Sequence, residues 1–151
     1  MNGQVWIALV IGAVAAGEDI VRRRISNWIP LAAAVAGLAW NASQAGWSGI
    51  GGSVAGMAAG FGVFLVFYLL GGMGGGDVKL MAGFGAVLGF GRLLEAALWT
   101  AGAGGLIALG ALGIGRLRRL AGGAPQGGPA KSIPYAPAIA VGAWLSLVPK
   151  G

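Results

Sequence analysis

Apolar residues fill six stretches of the chain, separated by short polar or glycine-rich segments. The stretches cover residues 5–17, 28–40, 51–70, 78–90, 92–114 and 133–148. Between them, a short polar turn is predicted over residues 41–48 and a Gly/Pro loop over residues 121–131. A helix that crosses a bilayer takes about 20 apolar residues, so about six spans would use most of the chain. The pattern therefore predicts an all-α, polytopic membrane protein with about six transmembrane helices, formed as a single domain over residues 1–151.

Composition excludes a water-soluble globular fold. Of the residues, 57% are hydrophobic and 9% are charged, whereas roughly a quarter are charged in an ordinary soluble domain. Glycine is abundant, with 32 residues, and Gly52, Gly56 and Gly60 recur every four positions on one face of the third stretch. Such spacing is typical of helices that approach each other closely in a membrane.

The placement of positive charges predicts the topology. Positive residues follow the first apolar stretch and do not precede it, which favours a retained helix with its N-terminus outside over a cleaved signal peptide. Eight of the ten positive residues fall after the first, third and fifth stretches: Arg22, Arg23, Arg24, Lys79, Arg116, Arg118, Arg119 and Lys131. Those segments are expected to be cytoplasmic. Asp19 and Asp77 would then lie at the same, cytoplasmic face of the membrane.

The missing residue types limit the chemistry. The chain has no cysteine and no histidine, which removes thiol chemistry and the usual ligands of zinc and haem. No metal and no cofactor is therefore expected. The net charge of +6 is interpreted as attraction of cytoplasmic segments to anionic lipid, and no nucleic-acid partner is expected.

Two carboxylates are the candidate functional groups, because an ionisable residue at membrane depth is costly and is a functional candidate. Asp19 could instead be a helix-end charge satisfied by Arg22 or Arg23, and Asp77 could be a polar loop tip. Five glycines among positions 71–76, however, precede Asp77 and suit a backbone that a substrate can approach closely. Two carboxylates that share one proton can perform acid–base catalysis, which is the chemistry of aspartic peptidases.

Competing motifs are weaker. The glycine cluster lacks the Gly-Lys-Ser/Thr of a phosphate loop. Gly46-Trp47-Ser48-Gly49 is similar to the motif of rhomboid-type serine peptidases, which need a histidine base that this chain lacks. Lys131 and Ser132 are sequence neighbours, and a capping role for the serine is favoured over a Ser–Lys dyad. A small membrane transporter or proton-relay subunit is the non-enzymatic alternative. It predicts carboxylates near mid-helix.

Three stretches give the chain a resemblance to a known family. Asp19-Ile-Val-Arg-Arg-Arg-Ile-Ser-Asn27 is similar to a motif in which proline usually stands at the position of Ser26. Gly74-Gly-Gly-Asp77-Val-Lys79-Leu80 is similar to a GxGD motif, and residues 133–142 resemble the start of the last helix. Together, in this order, they resemble the type IV prepilin peptidases, and among them the small single-domain form of tight-adherence (Flp) pilus systems.

The resemblance implies a multi-pass aspartic endopeptidase of the bacterial inner membrane that cleaves the leader from prepilins at the cytoplasmic face. Asp19 and Asp77 would be the catalytic pair. Gly74, Gly76, Lys79 and Asn27 would bind substrate or support the pair. Larger relatives also N-methylate the product and carry a cysteine-rich insert, so cleavage without N-methylation is expected here. Archaeal preflagellin peptidases and presenilin-like peptidases are alternatives, and no oligomeric state is predicted.

Overall fold

The computed structural model describes residues 3–70, 73–120 and 135–148 as an all-helical protein. Its helices are α1 (Gly3–Arg22), α2 (Trp28–Leu69), α3 (Gly75–Leu120) and α4 (Ala136–Ser146). Within these residues, α1, α2 and the Gly75–Leu106 part of α3 are long and apolar enough to cross a membrane, and α4 is a shorter apolar helix. The predicted all-α class is thus confirmed, a membrane protein is supported, and the count of about six spans stays a prediction.

Some sequence-based predictions concern residues outside the described ranges. They are Gly71 and Gly72 of the glycine cluster, the predicted loop over residues 121–131, the Lys131–Ser132 pair, and the first two residues of the last predicted span, Ile133 and Pro134.

Helix α2 turns back on itself at Gly46. A straight helix of its 42 residues would be about 63 Å long, roughly twice the hydrocarbon thickness of a bilayer. Gly46 instead has φ 56° and ψ −132°, and the Asn41 side chain donates a hydrogen bond to Ser53 Oγ at 2.8 Å. Those two residues would be about 18 Å apart along a straight helix. The polar turn predicted over residues 41–48 is therefore reduced to one non-helical residue.

Helix α3 has a similar break at Gly89, where φ is 72° and ψ is 170°. This positive φ is readily available to glycine and is strained for other residues. The segments of α3 before and after the break both pack against α2 at Gly60. A Cβ on Gly60 would lie 2.7 Å from the Met81 carbonyl oxygen and 3.4 Å from Leu93 Cδ1. The predicted end of the fourth apolar stretch, residue 90, coincides with this break.

Side chains from elsewhere in the chain stabilise the end of the first half of α3. A helix end leaves carbonyl groups without intrahelical partners. Here the Ala86 carbonyl accepts hydrogen bonds from Asn41 at 3.0 Å and from Ser53 at 2.8 Å. The Val87 carbonyl accepts from Asn41 at 3.2 Å and from Gln4 at 2.7 Å. These contacts fix the far end of the bundle relative to the candidate site.

The core lies where α2 and α4 pack against α3. Its largest fully buried side chains include Phe84, Leu80, Met81, Leu93, Ile29 and Ile139. Glycines permit the close contacts: a Cβ on Gly56 would meet the Gly85 carbonyl oxygen, and one on Gly142 would meet Thr100 Oγ1. Helix α4 also packs on α1, because Trp144 Nε1 donates to the Ala8 carbonyl at 2.9 Å. This packing brings the end of α1 and the starts of α3 and α4 together.

Candidate active site

Asp19 lies in the last turn of α1 and is only 7% exposed. Its Oδ2 accepts a hydrogen bond from the backbone N–H of Ala136, the first residue of α4, at 3.2 Å. The first N–H groups of a helix lack intrahelical partners and carry the positive end of the helix dipole. The start of α4 therefore holds the Asp19 carboxylate in place.

Asp77 lies in the first turn of α3 and is also 7% exposed. Its Oδ2 accepts a hydrogen bond from the Gly74 backbone N–H at 3.1 Å, and its own N–H donates to the Gly74 carbonyl at 3.1 Å. In a capping box, the side chain at the third helical position accepts a hydrogen bond from the backbone N–H of the N-cap residue. Asp77 and Gly74 make this half of the motif. Helix-start geometry thus fixes the Asp77 side chain.

The structure brings the two aspartates together. They come from different helices, and the charge of Asp19 acts on the Asp77 carboxyl group. In each residue the hydrogen bond uses Oδ2, and Oδ1 makes no hydrogen bond to any other described part of the chain. Within the described part of the chain, each carboxylate is thus anchored through Oδ2.

Arg23, the residue that follows α1, has an unusual backbone conformation. Its φ of 51° is left-handed, and its N–H donates to the Asp19 carbonyl at 2.8 Å. A non-glycine residue in this region costs about 1–2 kcal/mol. Such strain persists only where surrounding contacts fix it, and it often occurs near functional sites. The exposed Arg23 side chain also contributes positive charge close to Asp19.

Lys79 and Asn27, both predicted to support the pair, contact each other. Lys79 Nζ donates a hydrogen bond to Asn27 Oδ1 at 2.9 Å, on the exposed side of the site. A groove of about 340 Å³ begins at this contact. Its remaining lining is apolar and consists of Pro30, Leu31, Ala34, Met57, Phe61, Ala82 and Gly83. The arrangement joins α2 to the start of α3 and leaves a polar end on an apolar groove.

The two candidate glycines of the GxGD motif have different surroundings. Gly74 supplies the N–H that binds Asp77, and an added Cβ there would lie 3.3 Å from Asp77 Oδ2. A Cβ on Gly76 would lie 3.2 Å from Ile25 Cβ, in the turn between α1 and α2. Gly76 therefore lets that turn pack directly against the helix start that carries Asp77.

Two features of the site were missed in the sequence. Glu18 pairs with Arg22 at 3.4 Å, as helix spacing allows, but it also accepts hydrogen bonds from Ser26. The contact between Asp19 and the start of α4 was not foreseen either. The proline at the start of α4 indicated a helix start with free N–H groups, but its partner lies far away in the sequence.

Comparison with known protein families gives a match. The model of the type IV leader peptidase family matches residues 6–109, about two thirds of the 151 residues. This range contains both aspartates, Asn27 and Lys79. No curated protein and no solved structure matches the chain. The match implies a protease that acts on prepilin-type substrates, and the chain therefore belongs to the type IV leader peptidase family.

Proposed function

We propose that this protein is an aspartic endopeptidase that removes the leader peptide from Flp-type prepilins without N-methylating the product, with Asp19 and Asp77 as the catalytic pair. The observation that carries the proposal is the pair itself. Two buried carboxylates from different helices lie close together, and each is anchored through Oδ2. Membership of the leader peptidase family supports the reaction and the substrate class.

The reaction needs only the two carboxyl groups and water. One carboxylate takes a proton from water, whose oxygen attacks the scissile carbonyl carbon, while the other carboxyl group gives its proton to the carbonyl oxygen. The tetrahedral intermediate then collapses: the C–N bond breaks, the leaving amine takes the proton held by the first carboxyl group, and the second carboxylate takes back a proton from a hydroxyl group of the intermediate, which leaves a new carboxyl terminus and restores the pair. The pair titrates as a unit, so the proton is not assigned to either aspartate.

The surroundings of the pair fit a membrane-bound substrate. A prepilin precursor carries a hydrophobic helix next to its cleavage site, and the groove beside Lys79 and Asn27 is mostly apolar. Confinement of both proteins to one membrane raises the effective concentration of the scissile bond at the aspartates. Gly74 would let an extended peptide approach the backbone at the start of α3. Gly76 would support the pair by letting the turn with Ile25 pack there.

The proposed membrane arrangement has six spans within one domain over residues 1–151. The breaks at Gly46 and Gly89 divide α2 and α3 into two segments each, which together with α1 and α4 make six. Excess positive charge after the first, third and fifth segments supports a cytoplasmic active site in the bacterial inner membrane, with the N-terminus outside. Lipid is the expected surrounding, and no nucleic acid or cofactor takes part.

Co-expression with an Flp-type prepilin tests the activity. In cells that lack their own prepilin peptidase, we expect the protein to convert the precursor to a shorter product, seen as a size shift on a gel. Mass spectrometry should identify a free, unmethylated N-terminus. Cells that carry the empty vector control for other proteases. Absence of the product with a set of Flp-type prepilins, while the protein is present in the membrane, would contradict the proposal.

Single cysteines test the topology, because the chain has no cysteine of its own. Arg24 and Ser43 are exposed and lie on opposite sides of the second proposed span. We expect a membrane-impermeant maleimide to label Ser43→Cys in intact spheroplasts and Arg24→Cys only after the membrane is opened. If both positions are labelled from the same side, the six-span arrangement is wrong.

A further inference from the structure

Glu18 and Ser26 form a clasp across the turn between α1 and α2. The Ser26 N–H donates to Glu18 Oε2 at 3.0 Å, and the Ser26 hydroxyl donates to Glu18 Oε1 at 2.6 Å. The Glu18 side chain is only 12% exposed, although its ion-pair partner Arg22 is 65% exposed. Both carboxylate oxygens of Glu18 thus accept hydrogen bonds from Ser26. A charged residue that only lies at the membrane interface would not need these two contacts.

The clasped turn, residues 23–27, connects the two halves of the candidate active site. At its start, Arg23 binds the backbone of Asp19. At its centre, Ile25 lies against Gly76, immediately before Asp77. At its end, Asn27 accepts the hydrogen bond from Lys79. Any movement of this turn would therefore change the position of Asp19 relative to Asp77.

Ile25 packs against the hydrophobic core, and two features of the turn call for a further restraint. Asn27 precedes α2 but makes no side-chain cap to its own helix, because its side-chain oxygen is used by Lys79. The strained φ at Arg23 also needs surrounding contacts to persist. A side chain that makes two hydrogen bonds to Ser26, one with its N–H and one with its hydroxyl, can supply this restraint because the two bonds together fix the orientation of the serine.

We propose that Glu18 is a positioning residue for peptide-bond cleavage: through Ser26, it holds the 23–27 turn against the start of α3 and so sets the relative position of the two aspartates. The proposal rests on the proposed peptidase function. It assigns Glu18 no contact with substrate and no proton transfer. The consequence is that the geometry of the Glu18–Ser26 contact matters, whereas the charge of Glu18 is dispensable.

Two substitutions of Glu18 separate geometry from charge. Glu18→Ala removes the clasp, and we expect kcat to fall about 10- to 100-fold with little change in KM, since misplacement by about 1 Å can cost 100-fold. Glu18→Gln should keep most of the activity, because its amide oxygen can accept from the Ser26 N–H and its amide nitrogen can donate to the Ser26 hydroxyl. Arg22→Ala is the matched control and should leave kcat unchanged, because exposed ion pairs contribute little.

A double-mutant cycle tests whether Glu18 acts through Ser26. Ser26→Ala should lower kcat by a smaller factor than Glu18→Ala, since the Ser26 backbone N–H still binds. The double variant should be no slower than Glu18→Ala alone, because both changes remove the same contact. Each variant is purified in detergent, its folded fraction is measured by thermal unfolding, and initial rates are taken on one purified prepilin.

The outcomes separate this proposal from the proposed function. If the unmodified protein fails to cleave, the peptidase function is wrong. If it cleaves and folded Glu18→Ala is equally fast, the clasp does not position the site. Loss of activity in Glu18→Gln equal to that in Glu18→Ala would assign Glu18 a role that needs its charge. Strictly multiplicative losses in the double-mutant cycle would show that Glu18 does not act through Ser26.

Discussion

Replacement of Asp77 by asparagine is expected to lower kcat for leader cleavage by a factor of about 100 to 10,000, the usual contribution of a positioned acid or base. The fold should survive the change. The asparagine amide oxygen can still accept the Gly74 N–H bond that anchors the side chain, and the lost charge at the helix start costs about 0.3–1 kcal/mol. What disappears is the ability to exchange a proton with water or substrate.

Asp19→Asn should behave in the same way. Its amide oxygen can accept the Ala136 N–H bond that joins α1 to α4, so the contact that places the residue is kept. Residues that act as a unit in catalysis give strongly non-additive losses. The Asp19→Asn, Asp77→Asn double variant should therefore be about as slow as either single variant.

Initial rates on a purified prepilin, for variants matched in folded fraction, provide the measurement. Glu95→Gln is the matched control, because it makes the same carboxylate-to-amide change in α3 beyond the Gly89 break. It should retain cleavage. If Asp19→Asn or Asp77→Asn cleaves at the rate of the unmodified protein, the catalytic pair is wrongly assigned.

Local patterns predicted the all-helical class. Charge counting predicted that Asp19 and Asp77 lie at one membrane face, which stays a prediction, and in the structure the charge of Asp19 acts on the Asp77 carboxyl group. The predicted turn over residues 41–48 was too long, however. Ser43 and Ser48 hydroxyls bind the carbonyls of Trp40 and Ala45 within the helix, so polar composition did not interrupt it. Only Gly46, with its positive φ, leaves the helical conformation.

Contacts between residues that are far apart in the sequence could not be predicted from local patterns. Asn41 and Gln4 bind carbonyls at the Gly89 break of α3 from distant parts of the chain, and no local pattern encodes those partners. The ion pair of Glu18 with Arg22 follows from helix spacing. The clasp with Ser26, by contrast, depends on the left-handed conformation of Arg23, which hydropathy and spacing do not reveal.

Helix spacing also failed to distinguish the three glycines on one face of α2. An added Cβ on Gly56 would meet the Gly85 carbonyl oxygen, and one on Gly60 would lie 2.7 Å from the Met81 carbonyl oxygen. One on Gly52 would have no heavy atom within 4 Å. The repeat of four residues places all three on the same side of the helix, but the path of α3 decides which of them are needed for contact.

Gly56→Ala should therefore destabilise the protein strongly. Besides the Gly85 oxygen, the new methyl group would lie 2.8 Å from the Gly89 carbonyl carbon. These atoms are backbone and cannot rotate away, so α2 and α3 must separate at their crossing. Overpacking of this kind costs about 1–3 kcal/mol and occasionally more. Because α3 carries Asp77 at its start, separation of the helices should lower kcat as well.

Gly62→Ala is the matched control on the same helix, where an added Cβ has no heavy atom within 4 Å. Alanine is the better helix former by about 0.8–1.0 kcal/mol, so this variant should keep or raise the thermal midpoint in detergent, whereas Gly56→Ala should lower it. Gly85→Ala meets the Gly56 carbonyl oxygen at the same crossing. Helix separation would accommodate both methyl groups, so the double variant should lose less stability than the sum of the single losses. Equal midpoints for Gly56→Ala and Gly62→Ala would show that the two helices do not cross this closely.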